Sequence, residues 1–200
     1  MDASKKEKHI RQQAYTLFKQ VSQKSVTMDD IARHAGMSKK TIYQVYHSKK
    51  ELFLSLLNDI IAGVTKKIEE NINLSKNTLH EMELHIPVLS VLRENRMFFS
   101  KENLKGQPEA LKAVEYFKNV NLRSFAKRHI ERGVLEDIYR TKLAPENSSL
   151  IMLLLLERYV FNYSEKHDDI YSAMDFYLNG LLNDIGRKAY ALKAGLWQTN

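Results

Sequence analysis

Between Leu52 and Ile68 an apolar residue returns at every fourth position: Leu52, Leu56, Ile60, Val64 and Ile68. Phe53, Leu57 and Ile61 widen the stripe. This period is that of an α-helix with one buried face, and its length predicts a long helix. Ser48 precedes it with Glu51 three residues on, an S-x-x-E capping box that sets its start. Near the N-terminus Ile10, Ala14, Leu17 and Phe18 repeat at helical spacing and predict another helix, over about Lys6 to Gln20. With seven glycines and three prolines in 200 residues, little breaks such patterns. No strand alternation, low-complexity segment or internal repeat stands out, and the fold class expected is all-α.

Two short helices are predicted between these. Thr27 can cap the first, with Asp29 and Asp30 in its opening turn, and Ile31, Ala32 and Ala35 face inward. Gly36 then supplies a left-handed residue after the last turn. Ser38 caps a second helix over about Lys39 to Val45. Two short helices joined by a tight Gly-containing turn are the helix-turn-helix pattern.

Charge is concentrated in this region. Residues 1–50 hold eleven lysines and arginines against four acids, while the other 150 residues hold twenty of each, so the whole net charge of +7 lies in the first quarter of the chain. A one-sided block of charge within a folded segment points to a polyanion. The start of the second short helix offers free N–H groups to a phosphate. Lys39, Lys40, Lys49 and Lys50 add counter-charge. Residues 40 and 44 share a helical face, as do 39 and 43. Lys40 and Gln44 are therefore expected to meet the major groove, and Tyr43 and Lys49 the DNA backbone. Ser38, Thr41 and His47 complete the set around them.

The stretch TMDDIARHAGMSKKTIYQVYHSKKELF resembles the DNA-binding region of TetR-family transcription regulators. That pattern runs T-x-x-x-I-A, A-G-x-S, T-[IL]-Y, an aromatic residue and S-K-x-x-L. It is met by Thr27, Ile31, Ala32, Ala35, Gly36, Ser38, Thr41, Ile42, Tyr43, Tyr46, Ser48, Lys49 and Leu52, without a gap. The resemblance covers about a quarter of the chain. It implies that Thr27, Lys39, Thr41, Tyr43 and Lys49 contact DNA, chiefly its phosphates. It further implies a second, ligand-binding and dimerisation domain in which two helices per subunit form a four-helix bundle. The domains expected are residues 1–50, continuing into the long helix at about 48–71, and 51–200.

The remainder is helix-rich and neutral. Helices are expected at about Thr78 to Asn95, with Pro87 kinking or interrupting it, at Glu109 to Ile130, at Glu146 to Ser164 and at Asp168 to Leu192. The helix from Glu146 is apolar nearly all round and is expected to be central and buried. Two such apolar terminal helices exceed the needs of one small core and suggest a face for a second copy, so a homodimer is expected through them. Phe98, Phe117, Phe125, Tyr159 and Tyr163 are candidates to line a pocket for an unidentified small-molecule effector.

Cysteine is absent, which excludes disulfides, thiolate metal sites and a cysteine nucleophile. HEMELH at His80 to His85 is one residue too long for H-E-x-x-H: five residues on a helix turn the two imidazoles about 140° apart. His129 and His167 stand alone in the sequence. No S-x-x-K, G-x-S-x-G or glycine-rich phosphate loop occurs. No catalytic residue, metal or cofactor is therefore expected. The N-terminus lacks the apolar core of a signal peptide, and the longest apolar run, Leu150 to Leu156, is too short for a bilayer. A soluble, cytoplasmic, ligand-responsive repressor is expected, binding a palindromic operator on double-stranded DNA as a homodimer, with no membrane partner. The alternatives are an architectural or nonspecific DNA-binding protein without an inducer, and an enzyme or small-molecule carrier with a vestigial basic module.

Overall fold

The computed structural model describes residues 3–21, 23–161 and 170–192. Tyr163, Ser164, His167 and Asp168, all part of the expectations above, lie outside them. The chain divides into two compact units, Met1–Ala62 with Met97–Ala113, and Gly63–Arg96 with Val114–Asn200. Among the described residues both are helical.

The first unit is built on α1 (Ala3–Gln20), which buries Ile10, Ala14 and Phe18. α2 (Met28–His34) starts at a capping box: the Thr27 hydroxyl accepts the Asp30 N–H, and the Asp30 carboxylate accepts the Thr27 N–H. These two bonds satisfy donors that a helix start leaves unpaired. Gly36 follows at φ +62°, a conformation that side chains with a Cβ resist. Ser38 caps α3 (Lys39–Val45) by accepting the Thr41 N–H at 3.1 Å. α4 (Lys49–Leu74) begins as expected at Ser48, whose hydroxyl accepts the Glu51 N–H. The Glu51 carboxylate reaches one residue further back than a capping box requires, to the His47 N–H at 2.7 Å.

Leu52, Phe53, Leu56 and Leu57 of α4 are buried, as are Ile31, Ala32, Ala35 and Ile42. A 3₁₀ turn at Arg96–Phe99 and α6 (Lys101–Leu104) return to this unit. There Phe98 stacks on Phe53 at 5.2 Å between ring centroids, and Phe18 meets both rings edge-on. Phe98 therefore belongs to the core of the first unit, not to the lining of an effector cavity as expected.

The second unit contains α5 (Thr78–Glu94), which continues through Pro87 without ending. α7 (Pro108–Tyr116) begins in the first unit and runs into a π-helical stretch of the second, Phe117–Leu122, and then α8 (Arg123–Leu135). α8 runs beyond the expected end at Ile130 and passes through Gly133, where a Cβ would overlap the buried Tyr139 ring. α9 (Pro145–Leu156) opens with its proline in the first turn and leads into a second π-helical stretch, Glu157–Phe161. The two π-helical stretches are joined by Lys118, which donates to Glu157 at 2.6 Å. In place of one last helix there are two, α10 (Ile170–Leu181) and α11 (Asp184–Ala191). The break has a local cause. Asn183 caps α11 by accepting the Gly186 N–H, and its amide group donates to the Asp137 carbonyl at 2.9 Å.

α9 departs from expectation. It buries Ser148, Ser149 and Leu156, but Leu150, Ile151 and Leu154 are exposed. Phe176 of α10 is 83% exposed. Hydrophobic composition made this helix read as internal, yet the described residues do not cover its outer face.

Candidate nucleic-acid interface and a cavity in the second unit

α3 separates its two faces sharply. Ile42 is fully buried and Tyr46, the residue ending the helix, is nearly so, whereas Lys39, Lys40, Tyr43 and Gln44 are exposed. The Tyr46 hydroxyl donates to Glu7 and shares a hydrogen bond with Ser55, both at 3.3 Å, tying α3 to α1 and α4. Lys40 and Gln44 thus stand on the open side of a rigidly held helix. Lys39 pairs with Asp29 at 2.8 Å and lies 6.0 Å from the centre of the Tyr43 ring. The Asp29 hydrogen bond raises its pKa, so the lysine stays charged. An exposed pair of this kind contributes little and yields readily to a phosphate.

The other candidates carry structural duties. Thr27 donates its hydroxyl to Asp30 at 2.7 Å, and that bond is the main cause of the lowered Asp30 pKa. Ser38 and Thr41 share a hydrogen bond between hydroxyls at 2.8 Å. His47 is exposed and contacts Glu51 at 3.2 Å. Lys49 is turned inward: its ammonium donates to the carbonyls of Gln23, Lys24 and Val26 at 3.0, 3.3 and 2.7 Å. Burial lowers its pKa. Those carbonyls lie in the α1–α2 connection, where no helix supplies donors, so Lys49 closes that connection.

In the second unit a narrow cavity of about 80 Å³ is walled mainly by apolar residues of α5, α8, α9 and α10, including Phe125. Glu81, His85 and His129 form its polar end. Phe117 is fully buried in the first π-helical stretch. Tyr159 lines a separate open groove with Phe176 and Tyr177. The sequence reading missed the three polar residues. Glu81 and His85 are four apart on α5 and so share a face, a spacing present within HEMELH. The third, His129, comes from α8, and only the fold brings it in. Its Nδ1 faces Glu81 Oε1 at 2.8 Å and its Nε2 faces the Tyr139 hydroxyl at 2.7 Å. Arg132 donates to the other Glu81 oxygen at 2.8 Å and to Glu136 at 2.7 Å. Burial alone would raise the Glu81 pKa, but the hydrogen bond and charge of His129 with the Arg132 bond outweigh it, and the carboxyl lies below its usual range. Burial pushes the pKa of His85 down to about 4, which leaves the imidazole neutral at pH 7.

Residues 10–56, which contain the α2–α3 pair, match the family of bacterial regulatory proteins named tetR. The chain thus carries, over those residues, the DNA-binding helix-turn-helix of that family. It is similar to YhgD of Bacillus subtilis (strain 168), an uncharacterized HTH-type transcriptional regulator, at 26% identity over 81% of this chain and 86% of that one. Its fold is similar to that of a TetR-family transcriptional regulator from Agrobacterium tumefaciens, with a TM-score of 0.75 at 16% identity over 91% of this chain and all of that one. It is also similar to that of the fatty acid degradation regulator FadR from Bacillus halodurans, with a TM-score of 0.70 at 15% identity over 88% and 96% of the two chains. Among the described residues no helix is long and apolar enough to cross a membrane.

Proposed function

We propose that this protein is a homodimeric repressor that holds a palindromic operator through α3 and releases it when a small molecule occupies the second unit. The observation that carries the DNA-binding half is the open face of α3, where Lys39, Lys40, Tyr43 and Gln44 are exposed over a buried Ile42. Lys40 and Gln44 are assigned to base edges and Lys39 and Tyr43 to phosphates. Thr27, Ser38, Thr41 and His47 are assigned to the margins of the same contact, with their capping roles retained. Dimerisation is supported by the exposed Ile151, Leu154 and Phe176 on α9 and α10, an apolar face that a second copy of the chain would cover. A two-fold dimer presents two α3 helices to successive major grooves, which matches an inverted repeat.

The proposed response is a population shift. α4 continues from the first unit into the second. An effector that favours one position of its second half changes the separation of the two α3 helices and so the affinity for operator.

The experiment is fluorescence anisotropy with the duplex upstream of the chain's own gene and a scrambled duplex, at several salt concentrations. Tight binding to the native duplex, lost in Lys40→Ala with Gln44→Ala, is expected. Equal affinity for both duplexes, followed by a site-selection assay that returns no dominant palindrome, would sink the reading.

A further inference from the structure

We propose that the cavity of the second unit takes an uncharged, apolar molecule bearing one hydrogen-bond donor, such as a hydroxyl, and rejects carboxylates and phosphates. The inference rests on the reading that this unit holds the effector, and it names the chemistry of that effector.

The walls set the body of the ligand. Met82, Val88, Leu92, Leu122, Met152 and Met174 are apolar, and three of them are methionines, whose flexible chains let a narrow cavity adapt to a slim occupant. The polar end sets the head group. Both nitrogens of His129 already have partners, and each oxygen of Glu81 has one. His85 differs: among the described residues its buried Nε2 has no hydrogen-bond partner. Burial keeps the ring neutral, and we assign its one proton to Nδ1 and the Ile68 backbone. With its one proton committed there, Nε2 presents a lone pair, the acceptor half of an unmade bond. A buried polar atom left in that condition is costly, and a donor brought by the ligand relieves the cost.

Charge argues against an anion. Among the described residues that line the cavity there is no lysine or arginine. Arg132 lies behind Glu81 and is shared between two carboxylates, Glu81 and Glu136. An anionic head group would meet a carboxylate and a lone pair, with no cation free to compensate.

The test is isothermal titration of the full chain with three probes of matched length: octan-1-ol, heptyl methyl ether and octanoate. The alcohol is expected to bind about ten times more tightly than the ether, as one neutral hydrogen bond allows, and octanoate more weakly than either. His85→Leu should bring alcohol and ether to equal affinity. His85→Gln, which keeps a side-chain acceptor, should restore the preference, a pattern that a merely structural His85 would not produce. Octanoate binding as tightly as the alcohol, or a preference unchanged in His85→Leu, would overturn the head-group assignment and leave the effector reading standing. Failure of all three probes to bind would overturn both.

Discussion

The ammonium of Lys49 donates to the carbonyl of Val26 at 2.7 Å, across 23 positions of sequence. The first residue of α4 thereby holds the connection that leads into α2, together with its bonds to Gln23 and Lys24. A lysine that reads in the sequence as a phosphate contact is, in the free protein, a brace beneath the DNA-binding helices.

Lys49→Met should therefore lower the stability of the first unit by about 1–3 kcal/mol, since three carbonyls lose a charged donor. Lys40→Ala should leave stability unchanged and reduce the salt slope of operator binding by about one. Urea unfolding and salt-dependent anisotropy of the two variants separate the roles. A Lys49→Met protein as stable as the parent would return this lysine to the phosphate contacts.

The cap of α3 offers a graded test. Ser38→Ala removes the acceptor for the Thr41 N–H and should cost about 1 kcal/mol, whereas Ser38→Gly should cost a few tenths. Thermal denaturation in the absence of DNA reads the difference. Equal losses would mean that the hydroxyl is not what starts the helix.

Gly133 marks a close approach. A Cβ placed there would overlap the ring of Tyr139, which is fully buried and held through its hydroxyl by His129. Gly133→Ala should destabilise the protein by about 1–3 kcal/mol through overpacking, measured as a fall in denaturation midpoint. An unchanged midpoint would show that the ring moves aside freely.

His85 predicts a pH dependence of stability. Its folded pKa of about 4 lies below the unfolded value of 6.5, so the unfolded state binds the extra proton between those limits. Stability must then fall as pH drops from 6.5 toward 4 and be fully present above that window. The loss should reach about 2–3 kcal/mol near pH 4.5. Comparing urea midpoints at pH 7 and 4.5 for the parent and His85→Leu isolates the effect: the variant should lose less. Parallel losses would place the titration elsewhere.

The exposed face of α9 and α10 predicts association. Leu154→Glu combined with Phe176→Glu puts two charges where the side chains are 60% and 83% exposed in one chain. The variant should sediment as a monomer at micromolar concentration with its helical signal intact, while the parent sediments as a dimer. A monomeric parent would remove the dimer from the proposal.

The helix-turn-helix was legible in the sequence because everything that defines it is local. Thr27 and Asp30, Gly36, and Ser38 with the Thr41 N–H act over three or four positions, and the inward faces follow from spacing alone. The extra charge of residues 1–50 is likewise a property of the chain. The tertiary structure decided what depends on partners distant in sequence. It turned Lys49 inward to three carbonyls, stacked Phe98 on Phe53 in the first unit, and set His129 against Glu81 across 48 positions. It also left the outer face of α9 uncovered, although composition made the whole helix read as buried. Periodicity states which side of a helix is apolar. Which surface covers that side, and which buried polar atom is left without a partner, is settled only when the helices pack.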